Sequence, residues 1–85
     1  MNTIDWTSKA LKQAMKIKDK AMRGHVFDGA QALADFPNCA NVKKLTNHTY
    51  PYRLRVGDYR VFFEFDGAVR IVSIEEVRKR DERTY

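Results

Sequence analysis

The segment YPYRLRVGDYRVFFEF, residues 50–65, constrains the fold of this chain more than any other part. Apolar and polar side chains alternate on both sides of Gly57-Asp58. Alternation with a period of two is typical of β-strands with one buried face. Glycine at the first position of a two-residue loop suits a type II′ turn. The segment therefore predicts a β-hairpin.

The register of this hairpin places three arginines on one face. With a two-residue turn, Arg55 lies opposite Arg60 and Arg53 lies opposite Phe62. The three guanidinium groups then leave the same side of the sheet. Like charges directly opposite each other destabilise a strand pair, so folding alone does not explain this cluster. A bound anion does explain it.

The composition favours a small basic protein. The chain has 85 residues and is expected to form one domain, residues 1–85. Sixteen Lys and Arg against eleven Asp and Glu give a net charge of +5, which favours an acidic partner such as nucleic acid, an acidic protein or an anionic membrane. No apolar run approaches the roughly 20 residues needed to span a bilayer, and the N-terminus lacks the apolar core of a signal peptide. We therefore expect no membrane insertion and a cytoplasmic location.

The sequence offers no evident metal site. Cys39 is the only cysteine, and no Cys/His grouping has the spacing of metal ligands. His25 and His48 are isolated in the sequence. We therefore expect neither a metal nor another cofactor.

The N-terminal residues predict a short strand followed by a helix. Residues 2–6 are compatible with the strand, and Thr7 or Ser8 can cap the helix. The side chains of this helix at helical spacing, expected in the core, are Leu11, Ala14, Met15 and Lys18.

A second helix is predicted from Asp19 toward Phe36. Gly24 and Gly29 weaken it, because each glycine costs about 1 kcal/mol relative to alanine, and a break near His25 is an alternative. The apolar stripe that supports one continuous helix consists of Met22, Val26, Ala30 and Leu33.

The C-terminal half completes an antiparallel sheet. Residues 37–49 are turn-rich and predict a connection, in which Lys43 and Lys44 begin a basic zone. Asp66-Gly67 favours a type I′ turn, and residues 68–74 predict the next strand. The fold class expected is α+β, with two N-terminal helices packed on a small antiparallel sheet.

The register of that last strand depends on the turn length. A two-residue turn places Phe65 opposite Ala68 and Arg60 opposite Ser73, whereas a longer loop changes this pairing.

A basic strand face is typical of phosphate binding, because guanidinium groups form bidentate, charge-assisted hydrogen bonds. The alternative is a solvated sheet face. Phe62 and Tyr85 are candidates for stacking on bases beside this face. His48 and Glu75 are candidates for a general base, although both residue types are commonly solvated surface groups, and solvent is the third candidate.

Three motifs resemble those of a known family. KKL at 43–45, YRLRVGDYRV at 52–61 and RKRDE at 78–82 followed by Tyr85 resemble, in order and spacing, the RelE/ParE superfamily. Its members are the toxins of bacterial type II toxin–antitoxin modules. The resemblance covers nearly the whole chain, and it implies the RelE-like fold.

The RelE branch consists of ribosome-dependent endoribonucleases that cut mRNA in the A site, each neutralised by an antitoxin. The resemblance implies charge stabilisation by the hairpin arginines, with Arg80 or Lys79 assisting the leaving oxygen. RelE itself has lysines where this chain has arginines, and arginine cannot serve as a general base. The implied catalytic residues are Arg53, Arg55, Arg60, Arg80 and Tyr85, and the implied RNA-binding residues are Lys43, Lys44, Phe62, Lys79 and Arg83.

Partners and alternatives follow from the same resemblance. It implies a cognate antitoxin, a toxin–antitoxin hetero-oligomer, and the ribosome and mRNA as targets. The ParE branch shares the fold but inhibits DNA gyrase without enzymatic activity, and a plain RNA-binding module is a third possibility. The basic C-terminus followed by Tyr85 resembles the ribonuclease branch.

Overall fold

The structure is a computed structural model that describes residues 1–80. Two helices and five strands form its framework, in an order that begins with a strand. Their bounds are β1 Thr3–Trp6, α1 Ser8–Met15, α2 Lys20–Gln31, a short 3-10 helix Ala32–Asp35, β2 Val42–Lys44, β3 Tyr52–Val56, β4 Tyr59–Asp66 and β5 Ile71–Lys79.

The five strands form one mixed sheet with the order β1-β5-β4-β3-β2. β1 pairs with β5 in parallel, and the other neighbouring strands are antiparallel. This architecture confirms the α+β class. Among the described residues, no helix is both long enough and apolar enough to cross a membrane.

The start of α1 is as predicted, but its apolar stripe is not. The side chain of Thr7 caps the helix by accepting a hydrogen bond from the Ala10 backbone N–H at 3.2 Å. Leu11 and Met15, expected in the core, are 42% and 60% exposed, and Lys18 lies beyond the end of α1. The face of α1 that is buried carries small residues.

The position of α1 beside the sheet explains this difference. β1 pairs only with the first part of β5, through Ile74, so α1 lies along the β5 edge beyond that point. There Gln13 Oε1 accepts a hydrogen bond from the Val77 backbone N–H at 2.7 Å, replacing a strand partner. This close approach favours the small side chains of Ala10 and Ala14, both fully buried.

α2 is continuous, and the break considered near His25 does not occur. Asp19 caps it by accepting from the Met22 backbone N–H at 3.1 Å. Gly29 is needed for packing rather than being a weakness, because a Cβ there would lie 2.9 Å from Val56 Cγ2. The predicted stripe is confirmed as part of the core, although its last residue, Leu33, belongs to the 3-10 helix.

The hairpin has the predicted register. Arg55 pairs with Arg60, and Arg53 pairs with Phe62. Gly57 has a φ of 55°, in the left-handed region that the first loop position of a type II′ turn requires. The alternation and the turn residues together determine this part of the sheet.

β5 begins later than predicted. It covers Ile71–Lys79 instead of residues 68–74, and the predicted two-residue turn is wrong. Asp66 pairs with the first residue of β5, so residues 67–70 form a longer turn. Asp66 Oδ1 accepts a hydrogen bond from the Ala68 backbone N–H at 3.0 Å, which stabilises this turn.

The later start of β5 changes which residue of β5 pairs with Arg60. Arg60 pairs with Arg78, not with Ser73. An irregularity in the β4–β5 ladder, between Phe62 and Phe63, shifts the register further. As a result, the end of β5 adds cations to the arginine face.

The segment 37–49 also contains a strand that the sequence did not predict. β2 has three residues, too few for an alternating pattern to be recognised, and it forms the edge of the sheet beside β3.

The two faces of the sheet have different roles. One face packs on the helices around a core that includes Leu54, Val61 and Phe63. Because successive side chains of a strand point to opposite faces, Arg53, Arg55 and Arg60 project from the other side. We call that side the arginine face.

Candidate functional site

All four arginines that were predicted to be catalytic line one pocket on the arginine face. Its volume is about 200 Å³, and we call it the arginine pocket. Its lining residues are Arg53, Arg55, Gly57, Asp58, Tyr59, Arg60 and Arg80. The Asp58 carboxylate offsets part of this positive charge. Sequence reasoning missed Asp58 as a site residue because the turn already explained an aspartate at that position.

Arg53 contributes a buried donor without a partner. Its Nε atom is buried and has no hydrogen-bond acceptor within the described part of the chain. A buried donor left unsatisfied costs about 1–3 kcal/mol. An anion in the arginine pocket supplies acceptor oxygens suited to guanidinium groups.

Arg80 is brought to the pocket by the end of β5. The Arg80 backbone N–H donates to the Asp58 carbonyl oxygen at 2.6 Å, which ties the end of β5 to the hairpin turn. Lys79, the alternative to Arg80, pairs with Tyr59 and so projects from the helix side of the sheet. Geometry therefore associates Arg80, not Lys79, with the arginine pocket.

Arg78 extends the cationic row and was not predicted as a site residue. It pairs with Arg60, which in turn pairs with Arg55, so three guanidinium groups lie on adjacent strands. Its Nε atom also lies 2.5 Å from Glu76 Oε2. Part of its charge is thus already compensated. The sequence did not indicate that Arg78 faces Arg60, because this pairing depends on the longer turn before β5.

Glu76 is a buried carboxylate on this face that forms ion pairs with two cations, Arg78 and Lys9. It is 4% exposed, and its second oxygen lies 2.6 Å from Lys9 Nζ. The hydrogen bond to Glu76, reinforced by the charge of Glu76, raises the pKa of Lys9 above its ordinary value of 10.5. Lys9 therefore carries its charge on the arginine face although it belongs to α1.

The two predicted lysines of β2 lie on different faces. Lys43 pairs with Arg53 and therefore shares the arginine face. Lys44 pairs with Tyr52, whose ring packs against the core, so it projects from the helix side. The structure brings only Lys43 next to the predicted catalytic arginines.

Phe62 lies on the arginine face, but its ring is covered. It is 5% exposed, because His48 stacks on it with ring centroids 5.1 Å apart and an interplanar angle of 11°. Tyr50 packs beside it at 5.6 Å. The expectation that Phe62 is open for stacking on a base is therefore not met, and the exposed ring at this place is His48.

Comparison of the sequence with models of protein families identifies the family of this chain. A family model described as the ParE toxin of type II toxin–antitoxin systems, parDE, matches residues 4–84. The chain belongs to this family. It is thus a toxin of a type II toxin–antitoxin module in the RelE/ParE superfamily. No curated protein matches its sequence.

Solved structures show that the toxin has the fold of RelE. A chain of the archaeal RelE–RelB complex from Pyrococcus horikoshii OT3 matches with a TM-score of 0.79 and 21% identity, over 95% of this chain and 97% of that chain. The RelBE2 complex from Mycobacterium tuberculosis matches with a TM-score of 0.79 and 23% identity, over 93% and 98%. The isolated E. coli RelE toxin also has a TM-score of 0.79, with 18% identity, over 96% and 87%. At these identities the likeness establishes the fold.

The arginine face of the toxin also has an acidic part. Asp5 of β1 and Glu64 of β4 both pair with Ser73 of β5, and so lie on the same face. Glu75 lies close to them. Burial, then the charge of Glu64 and a hydrogen bond with it, and finally the charge of Asp5, raise the pKa of Glu75 above its ordinary value of 4.5. The face is thus basic at the hairpin turn and acidic toward β1.

This acidic part predicts a pH-dependent stability. A carboxyl group with a raised pKa in the folded state binds protons more tightly there than in the unfolded chain. Stability therefore falls as the pH rises from about 4.5 through the raised pKa of Glu75. Glu75→Gln should raise the free energy of unfolding at pH 7, and this gain should shrink toward pH 4. Urea unfolding across this pH range measures it.

Asp28→Asn, which changes an exposed carboxylate on α2, serves as the charge-matched control for that experiment. A gain from Glu75→Gln that is equal at both ends of the pH range contradicts the assigned cause.

Two predicted residues lie outside the described part of the chain, namely Tyr85 and Arg83. Within residues 1–80, no group of three or more His, Cys, Asp or Glu side chains is arranged to hold a metal ion.

Proposed function

We propose that this toxin is an endoribonuclease that cuts mRNA on the ribosome. The observation that supports this most directly is the arginine pocket, where four arginines surround a space of about 200 Å³ and the buried Nε of Arg53 has no acceptor among residues 1–80. Such a site suits a phosphate whose negative charge increases during reaction.

The proposed reaction needs no metal ion. The ribose 2′-OH attacks the adjacent phosphorus, the bond to the 5′-oxygen breaks, and the products carry a cyclic phosphate and a 5′-OH. Arg53, Arg55 and Arg60 stabilise the charge on the phosphorane, because guanidinium groups fixed in a pocket need little rearrangement as that charge develops. Arg80, at the pocket rim, stabilises the charge on the leaving oxygen.

The proton of the 2′-OH must also be accepted. Of the three candidates, Glu75 lies among other carboxylates away from the pocket lining. Nδ1 of His48 already accepts a hydrogen bond from the Tyr50 backbone N–H at 3.1 Å. With Nδ1 accepting, a neutral imidazole has its hydrogen on Nε2, which then cannot accept the proton of the 2′-OH. Solvent is the acceptor that we propose, and a solvent molecule also supplies the proton that the leaving 5′-oxygen takes up.

Tyr85 and Arg83 keep the roles that the resemblance implies, stacking on a base and binding the RNA backbone. Lys43 also keeps its predicted role in RNA binding, supported by its position beside Arg53. Lys44, Phe62 and Lys79 have less support, because the two lysines project from the helix side and the Phe62 ring is covered. Action on mRNA also implies a cytoplasmic location and no membrane partner.

Primer extension on mRNA from cells expressing the toxin tests this function. We expect cuts in phase with codons, followed by arrest of translation. A plain RNA-binding module arrests translation without cutting. Intact mRNA after toxin expression overturns the ribonuclease proposal.

The second candidate is inhibition of DNA gyrase. The observation that favours it is the matched family model, which carries the name of ParE. In this case induction produces DNA damage while translation at first continues. The purified toxin then inhibits supercoiling by gyrase and leaves ribosome-bound mRNA intact.

We also propose an antitoxin as the partner of this chain. Three solved structures with this fold are toxin–antitoxin complexes. Leu11 and Met15 of α1 are exposed and lie one turn apart, which suits an apolar antitoxin segment. The arginine face suits antitoxin carboxylates.

The affinity of this toxin–antitoxin pair should fall as salt is added, because ions screen exposed charges over about 10 Å at 0.1 M. The fall should be smaller than for a purely electrostatic complex, since apolar surface is also buried. Titration of the purified pair across ionic strength measures it. An affinity independent of salt places the arginine face outside the interface.

A further inference from the structure

The loop between β2 and β3 presents an aromatic surface beside the arginine pocket. A backbone hydrogen bond from Leu45 N–H to the Pro51 carbonyl, at 2.8 Å, closes this loop. Within it, the Tyr50 backbone N–H holds His48 by its Nδ1 atom at 3.1 Å. The His48 ring is nearly parallel to Phe62, with an interplanar angle of 11°. Two contacts of the ring, within a closed loop, therefore fix the orientation of this imidazole.

The outer side of this stack is open. His48 is an exposed residue, whereas Phe62 beneath it is buried. One face of the imidazole is occupied by Phe62, so the face turned away from the sheet is available to solvent. An aromatic face held in a fixed plane is suited to stacking on a nucleobase, and stacking tolerates any base because each has a π-face.

Phe62, which supports this surface, lies close to the arginine pocket. Phe62 follows Arg60 by two positions on the same face of β4, a separation of about 7 Å along the strand. Phe62 also pairs directly with Arg53, and Lys43 continues that row of cations. A nucleotide whose phosphate lies among the arginines can therefore extend its base toward His48.

We propose that His48, supported by Phe62, is a base-stacking subsite that positions one nucleotide of the RNA relative to the arginine pocket. This subsite rests on the proposed ribonuclease function. His48 acts there by stacking its ring on the base. It is not assigned the acceptance of the 2′-OH proton, because its Nδ1 atom already accepts a hydrogen bond from the Tyr50 N–H.

Ribosomes programmed with a short mRNA provide the test, with cleavage by the full-length toxin measured as kcat/KM. His48→Ala should lower kcat/KM by roughly 5- to 150-fold, the range expected for loss of one stacked base. His48→Phe should stay within about threefold of wild type, because phenylalanine retains an aromatic face. Thr49→Ala, at an exposed neighbouring position in the same loop, is the control and should have no effect.

A second series identifies the nucleotide and separates stacking from a merely structural role. Abasic nucleotides are placed in the mRNA one position at a time. At the position that stacks on His48, wild type should lose the same factor as His48→Ala, and the difference between the two proteins should disappear. A structural role of His48 leaves that difference unchanged at every position.

The outcomes that overturn the subsite are distinct from failure of the proposed function. Equal cleavage by wild type and His48→Ala overturns the subsite alone, as does a difference that no abasic position removes. A His48→Phe variant as impaired as His48→Ala overturns stacking of the ring as the role of His48. If wild type cuts no mRNA at all, the ribonuclease proposal fails and the subsite fails with it.

Discussion

Arg60→Ala should lower mRNA cleavage by about 100- to 1,000-fold, the loss typical of removing one donor that stabilises developing negative charge. Arg60 lines the arginine pocket and lies in the middle of the cationic row, between Arg55 and Arg78. Its removal relieves repulsion across two strand pairs, so the melting temperature should not fall. Growth after induction, cleavage on programmed ribosomes and thermal melting of the same variant measure these effects.

Lys18→Ala is the matched control for Arg60→Ala, since it removes the same charge from an exposed position between the two helices. It should leave cleavage unchanged. A clear loss of melting temperature in Arg60→Ala makes Arg60 a structural residue, and its effect on cleavage then has another cause.

Arg80→Ala should reduce cleavage by about 100-fold or more, whereas Lys79→Ala should stay within about threefold of wild type. The two substitutions remove the same charge from adjacent positions. Arg80 lines the pocket, but Lys79 pairs with Tyr59 and projects from the opposite side of the sheet. A purely electrostatic attraction to RNA responds equally to both. Single-turnover cleavage rates compare them directly, and equal losses contradict the assignment of Arg80 to the leaving oxygen.

The β3–β4 hairpin could be predicted from the sequence because neighbouring residues alone determine its strands and its turn. Alternation along β3 and β4 assigns each side chain to a face, and Gly57 at the turn sets the register. The convergence of Arg53, Arg55 and Arg60 follows directly from these two features. Neither depends on distant contacts.

The parts that could not be predicted depend on contacts between distant segments. Arg78 faces Arg60 only because the turn after β4 is long and the β4–β5 ladder is irregular. The exposure of Leu11 follows from the position of α1 beside β5, which the helical pattern does not encode. His48 has no sequence neighbour that indicates its proposed role, since the ring on which it stacks, Phe62, belongs to the distant strand β4.

The pairing of the first strand with the last has a consequence for synthesis of the protein. Thr7, directly after β1, is bonded to Ile74, 67 positions later in the chain. During translation β1 therefore cannot pair before residues 71–74 have left the ribosome, and contacts between segments this distant form late and slowly. Arg80 joins the pocket only after β5 is in place. The arginine pocket is therefore complete only after residues 71–80 have been synthesised and paired, and the activity proposed here depends on that late step.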